Sequence, residues 1–219
     1  YMMDQDLQWY LRRTSVSTDE SNVASVMKEV MGVRARLLAP FAPYTCEEVW
    51  HLLGNVDFVS CAKWPEHDGA KIDKMAEACE EIVRETLRDA QNILKVVKFK
   101  PKKAFLYAAA DWKWSCLMGC LDSIGKGQTI GEATKALMGV REIREKGREA
   151  SEFIGRTMEE LSKLPEDRRV EMLSLGVLPA LEVLRGAAQF FAKELEADVS
   201  IFVEDDNARY DPASRAKLA

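Results

Sequence analysis

The chain has 219 residues, 47% of them hydrophobic and 31% charged, with a formal net charge of −5. That length holds one large domain or two small ones around a real core, and that balance excludes a disordered chain. No apolar run approaches the roughly 18 residues of a membrane span and no basic-plus-apolar leader opens the chain, so the cytoplasm is the expected location.

The first predicted element is a helix over 2–13, carrying Trp9, Tyr10 and the pair Arg12-Arg13. Its start at Tyr1 reads as cut off, which fits a piece of a longer polypeptide. Ser17 and Glu20 stand at capping-box spacing. A helix follows in which Val23, Val26, Met27, Val30, Val33, Leu37 and Leu38 form one apolar stripe. Pro40 ends it, and Pro43, with its fixed φ, suits the first turn of the next helix. Glu47 and Glu48 fall in the first two turns of that helix, where negative charge is favoured. Gly54 sits where a helix commonly leaves through a left-handed residue. After a loop over 55–69, a helix from about Lys71 to Val97 keeps a three-to-four rhythm of apolar residues.

Near Lys100 the pattern changes. Pro101 breaks the helix, and 104–109 reads as a short strand. Asp111 is positioned to cap a helix from Trp112 that Gly125-Lys126-Gly127 ends. Helices are expected from Thr129 to Met138, from Gly147 to Leu164, and from Pro179 through Leu195; 198–203 is a good strand. Two strands separated by helices imply a small, parallel, two-stranded sheet. The expected fold is therefore mainly α: a helix bundle over 1–99, then a small α/β domain over 100–219 with a minimal two-stranded sheet.

Catalytic signatures are missing. Five cysteines and two histidines show no C-x-x-C pair and no zinc-type spacing, so the cysteines read as small apolar thiols. Glu47 and Glu48 diverge by about 100° around a helix and do not converge on one substrate atom. Trp50 and Trp64 read as packing residues at the elbow and loop.

The basic residues leave two readings open. Lys95, Lys98, Lys100, Lys102 and Lys103 are the densest cationic run; they would grip RNA phosphates, or offset a helix dipole and solvate the surface. Arg12 and Arg13 would fork onto phosphate or stack on a base, or dock this bundle on another domain. Lys113, between Trp112 and Trp114, would sit between stacked bases, although one of those tryptophans reads as core. Arg141, Arg144, Lys146 and Arg148 alternate with glutamates, the pattern of a solvated helix.

The elbow, Leu38-Ala39-Pro40-Phe41-Ala42-Pro43-Tyr44-Thr45-Cys46-Glu47-Glu48-Val49-Trp50, resembles the signature of the helical anticodon-binding domain of class I aminoacyl-tRNA synthetases. Further phrases resemble the archaeal-type leucyl-tRNA synthetase family in matching order. They are 6–13, 58–65, 93–96, the Ala110-Asp111-Trp112-Lys113-Trp114 phrase, and the tail 211–217. Tyr44 stands where the family pattern usually has His, and the adenylation signatures of the HIGH and KMSKS type do not occur in the chain. The resemblance implies a C-terminal portion that positions leucine tRNA for ATP-dependent leucylation by a catalytic domain outside this chain. It implies no cofactor in this portion, with ATP and magnesium serving the parent enzyme. It also implies two partners, tRNA(Leu) and the rest of the same polypeptide. The alternatives are the equivalent region of an isoleucyl, valyl or methionyl relative, or a helical protein-interaction module.

Overall fold

The computed structural model describes residues 2–16, 20–97 and 100–204. Ser17, Lys98 and the tail phrase 211–217 lie outside the described residues. Two compact units make up the chain, 1–72 and 73–219.

The first unit holds α1 (Met2–Thr14), α2 (Glu20–Leu38), α3 (Pro43–Leu52) and short 3₁₀ turns at Val59–Cys61 and Gly69–Lys71. The elbow forms because Pro40 cannot continue α2. The N–H groups of Phe41 and Ala42 both donate to the Leu38 carbonyl, at 2.9 and 3.0 Å. Pro43 then opens α3, where its missing N–H costs nothing. Gly54, at φ +90°, turns the chain out of α3 while its N–H donates to the His51 carbonyl at 2.8 Å. Among the described residues, Ala35, Cys46 and Val59 form a buried cluster packed against Ala39, Val49 and Trp50.

Two sequence readings are corrected in this unit. Glu47 serves the loop rather than the helix start, its Oε2 accepting the Val59 N–H at 3.0 Å. Trp64 is not packed inside but is 57% exposed.

The second unit begins with α4 (Lys74–Val97). This helix starts three residues later than its periodicity implies, because Asp73 caps it: the Asp73 carboxylate accepts the Ala76 N–H at 3.0 Å. Ile82, Val83 and Leu87 are buried along α4, which packs on α10 (Ala180–Gly186) and α11 (Ala188–Leu195). By packing, therefore, α4 belongs with the residues that follow it. The change of pattern at Lys100 marks a change of secondary structure inside this unit, and the compact units part at 72/73 instead of 99/100.

Strands β1 (Lys103–Ala108) and β2 (Asp198–Val203) form a two-stranded parallel sheet, in register from Lys103↔Asp198 to Ala108↔Val203. Between them run α5 (Asp111–Gly125), α6 (Ile130–Leu137), α7 (Arg141–Glu145), α8 (Arg148–Ser162), α9 (Glu166–Leu175), α10 and α11. Thr129 caps α6 with a full capping box to Glu132. Asp111 is the first residue of α5 and not its cap; Ala110 holds that position without a side-chain bond. The single last helix expected from Pro179 is two helices, because Ala187, after Gly186, takes φ −94° and ψ 3°. Helix α9 has no fully buried residue and meets the core through the partly buried Met172.

The main core of this unit joins α5, α6, α7 and α8 through Trp112, Trp114, Cys116, Cys120, Leu137, Ile143, Ile154 and Met158. Gly119 of α5 faces Leu137 of α6 so closely that an added Cβ would lie 2.2 Å from Leu137 Cδ2 and 3.2 Å from its Cγ. Gly119→Ala should therefore destabilise the chain by about 1–3 kcal/mol in urea unfolding. Gly125→Ala, whose Cβ meets nothing within 4 Å, should be neutral or slightly stabilising by the same measurement.

Burial pushes the Cys116 thiol from its ordinary 9.0 up to about 11, and burial plus the neighbouring Cys116 pushes Cys120 up to about 12. Below pH 9 both folded and unfolded chains keep these protons. Above it the unfolded chain releases protons that the folded chain retains, so stability falls as pH rises from 9 towards 12. The thermal midpoint should drop across that window, and the Cys116→Ala/Cys120→Ala double variant should show a shallower drop.

Candidate nucleic-acid interface

The lysine run follows α4 into β1. Lys95 lies exposed in the last turn of α4, its Nζ 3.5 Å from Asn92 Oδ1. Lys100 pairs with Glu196, the residue in left-handed conformation that ends α11. The Lys100 ammonium, through its hydrogen bond and charge, holds the Glu196 carboxyl below its usual range. Lys102 is exposed, and its carbonyl accepts the Asp198 N–H at 3.1 Å. Lys103 opens β1, exposed and opposite Asp198 in the register. Parallel pairing thus brings Lys100, Lys102 and Lys103 together with two carboxylates at the start of the sheet.

Arg12 and Arg13 lie in the last turn of α1, in the first unit. Arg12 is exposed, with its guanidinium carbon 5.7 Å from the Trp9 ring centroid. In the third cationic group, Arg141 pairs with Glu145 at 2.9 Å and Arg148 with Glu152 at 2.6 Å, both at helical i, i+4 spacing. Lys146 Nζ lies 5.8 Å from the Trp112 ring. These are the contacts of a solvated, charge-laced surface.

Lys113 is a buried lysine, not a surface cation. Its side chain is 6% exposed and its Nζ lies 2.6 Å from Glu204 Oε2, a carboxylate only 5% exposed. The other carboxylate oxygen accepts the Ala110 N–H at 3.0 Å, so Glu204 at the end of β2 satisfies the start of α5. The ammonium also sits 5.6 Å from both the Trp112 and Phe153 ring centroids. Trp112 and Trp114 are both 4% exposed, so base stacking between them is excluded and both belong to the core. The physical reason is helical geometry: the first turn of α5 points inward over Phe153, whose ring meets that of Trp112 edge-on at 5.4 Å.

A buried pair of this kind costs far more to halve than to remove. Lys113→Met should destabilise the fold by about 3–5 kcal/mol in denaturant titration, and adding Glu204→Leu should recover part of that loss. The salt dependence of any RNA binding should be unaffected.

One grouping was not legible in the sequence. Phe105 and Tyr107 project from the same face of β1, and the register sets Phe202 of β2 beside them. Phe202 lies 6.0 Å from Phe105 and 6.1 Å from Tyr107, centroid to centroid. The signal in each strand is only period-two alternation; the row exists because the two strands pair.

Among the described residues, no group of three or more His, Cys, Asp or Glu is placed to hold a metal. None of the described helices is long and apolar enough to cross a membrane. Residues 1–106 match the family described as the anticodon-binding domain of tRNA ligase. The whole chain is similar to the C-terminal region of leucine–tRNA ligases from archaea. The chain matches the C-terminal anticodon-binding region of leucyl-tRNA synthetases across archaea.

Among these relatives, the leucine–tRNA ligase of Methanococcoides burtonii is 32% identical over 222 residues, covering 100% of this chain and 22% of the relative. That of Pyrococcus horikoshii is 34% identical over 207 residues, covering 94% of this chain and 20% of the relative. That of Methanosarcina mazei is 31% identical over 220 residues, covering 100% and 22%. The chain thus spans about a fifth of the length of the curated relatives it matches. The anticodon-binding match takes in α1 to α4 and runs into β1, across the division at 72/73. These relatives favour leucine over the isoleucyl, valyl and methionyl alternatives, and they disfavour a module without an RNA role.

Proposed function

We propose that this chain holds leucine tRNA so that its acceptor end reaches an adenylation site on another part of the same synthetase. The carrying observation is the similarity to leucine–tRNA ligases over the whole chain. Positioning of this kind uses remote binding energy to orient reacting groups, which needs surface cations rather than catalytic side chains. The exposed Lys95, Lys102 and Lys103, together with Lys100 and Arg12, are the described groups of suitable character. Lys98 and Arg13 complete the candidate set. ATP and magnesium would serve the catalytic part, no cofactor would be held by this one, and the work would take place in the cytoplasm. By itself the chain would leucylate nothing.

Leucine tRNA should bind the 219-residue chain with a steep loss of affinity as salt rises, measured by fluorescence anisotropy. Replacing Lys102 and Lys103 together by Ala should lower the slope of log affinity against log salt by about one to two. A slope near zero for the unaltered chain would sink the reading.

A further inference from the structure

The sheet that joins β1 to β2 has two different faces. Helices α10 and α11 pack on the strands, and on one face Ala108 and Ile201 are buried. On the other stand Phe105, Tyr107 and Phe202, an aromatic row with centroids about 6 Å apart. Phe105 is 51% exposed and forms the accessible end of the row, while Tyr107 and Phe202 are half-buried. Burying these rings would be favourable, yet here a large aromatic is left at the surface of a two-stranded sheet.

The residues around the row say what would cover it. Lys103 projects from the same face as Phe105 by strand alternation, and Lys102 precedes it. Lys100 completes three lysines against Glu196 and Asp198, so the start of the sheet is net positive on a chain that is net negative. Flat rings beside cations fit an unstacked nucleobase and its phosphate: the base lies on the ring and the phosphate meets the ammonium. A purely apolar protein partner would have no use for the lysines.

We infer that the Phe105–Tyr107–Phe202 face, flanked by Lys102 and Lys103, is a stacking platform for an unpaired base of single-stranded RNA. The platform rests on the reading of the chain as a tRNA holder and adds to it a place where a base is gripped by its face. Stacking does not read hydrogen-bonding edges, so the platform tolerates different bases and contributes affinity more than sequence choice.

The test uses the 219-residue chain and two RNAs: a short single strand carrying 2-aminopurine, and unmodified leucine tRNA. Stacking on Phe105 should quench the 2-aminopurine emission. Phe105→Ala should abolish the quenching and weaken single-strand binding about tenfold while leaving the salt slope as it was. Phe105→Tyr should keep both, and Lys102→Ala/Lys103→Ala should lower the slope yet keep the quenching. Near-identical melting temperatures show that the surface change leaves the fold intact. Salt-dependent tRNA binding with no quenching, or equal single-strand affinity for Phe105→Ala, overturns the platform and leaves the tRNA reading standing. Absence of binding to either RNA overturns both. A concentration-dependent dimer that Phe105→Ala dissolves would assign the face to a second copy and likewise overturn the platform.

Discussion

The second unit depends on one long-range event, the parallel pairing of β1 with β2 across seven intervening helices. Closing so long a loop is entropically costly, and six residue pairs in a two-stranded sheet repay little of it alone. The closure is locked where the strands end. Glu204, one residue past β2, bonds the Ala110 N–H and the Lys113 ammonium, so the last strand is tied to the first turn of α5. A charge buried this deeply is costly without its partner, so removing either member of the pair would leave the other uncompensated. Helices α10 and α11 add the apolar share by packing on both the sheet and α4.

That closure also arranges the surface. Without it, Lys100, Lys102 and Lys103 would be a basic linker after a helix; with it they meet Glu196 and Asp198 at a defined place. The same pairing assembles the aromatic row from two strands that lie far apart along the chain. Burial sorts the cations by chemistry. Lys113 is used up in holding the fold together, whereas Lys102 and Lys103 remain at the surface, where a phosphate can reach them.

The first unit is organised differently. Among its described residues, Ala35, Cys46 and Val59 form a buried cluster, and its elbow leaves Phe41 and Tyr44 86% and 92% exposed. Local rules carry most of its shape: two prolines, a left-handed glycine, and a glutamate whose side chain reaches a loop N–H. Such devices give a firm turn from little buried area, since each satisfies a backbone group that the chain reversal would otherwise leave open.

The sequence by itself determined what is local. The Pro40–Pro43 elbow, the helix start at Thr129, both strands and their parallel sense follow from spacing, fixed φ and alternation. Kinship was legible too, because short phrases in order carry family identity without any geometry. Tertiary structure decided the rest. It placed α4 with the second unit, split the last helix at Ala187, and sent Glu47 to a loop. It turned Lys113, Trp112 and Trp114 inward and brought Phe202 between Phe105 and Tyr107. The reason is common to all of these. Periodicity tells which face of an element is apolar, but which neighbour covers that face, and which charge is buried with it, depends on contacts between residues far apart in the chain.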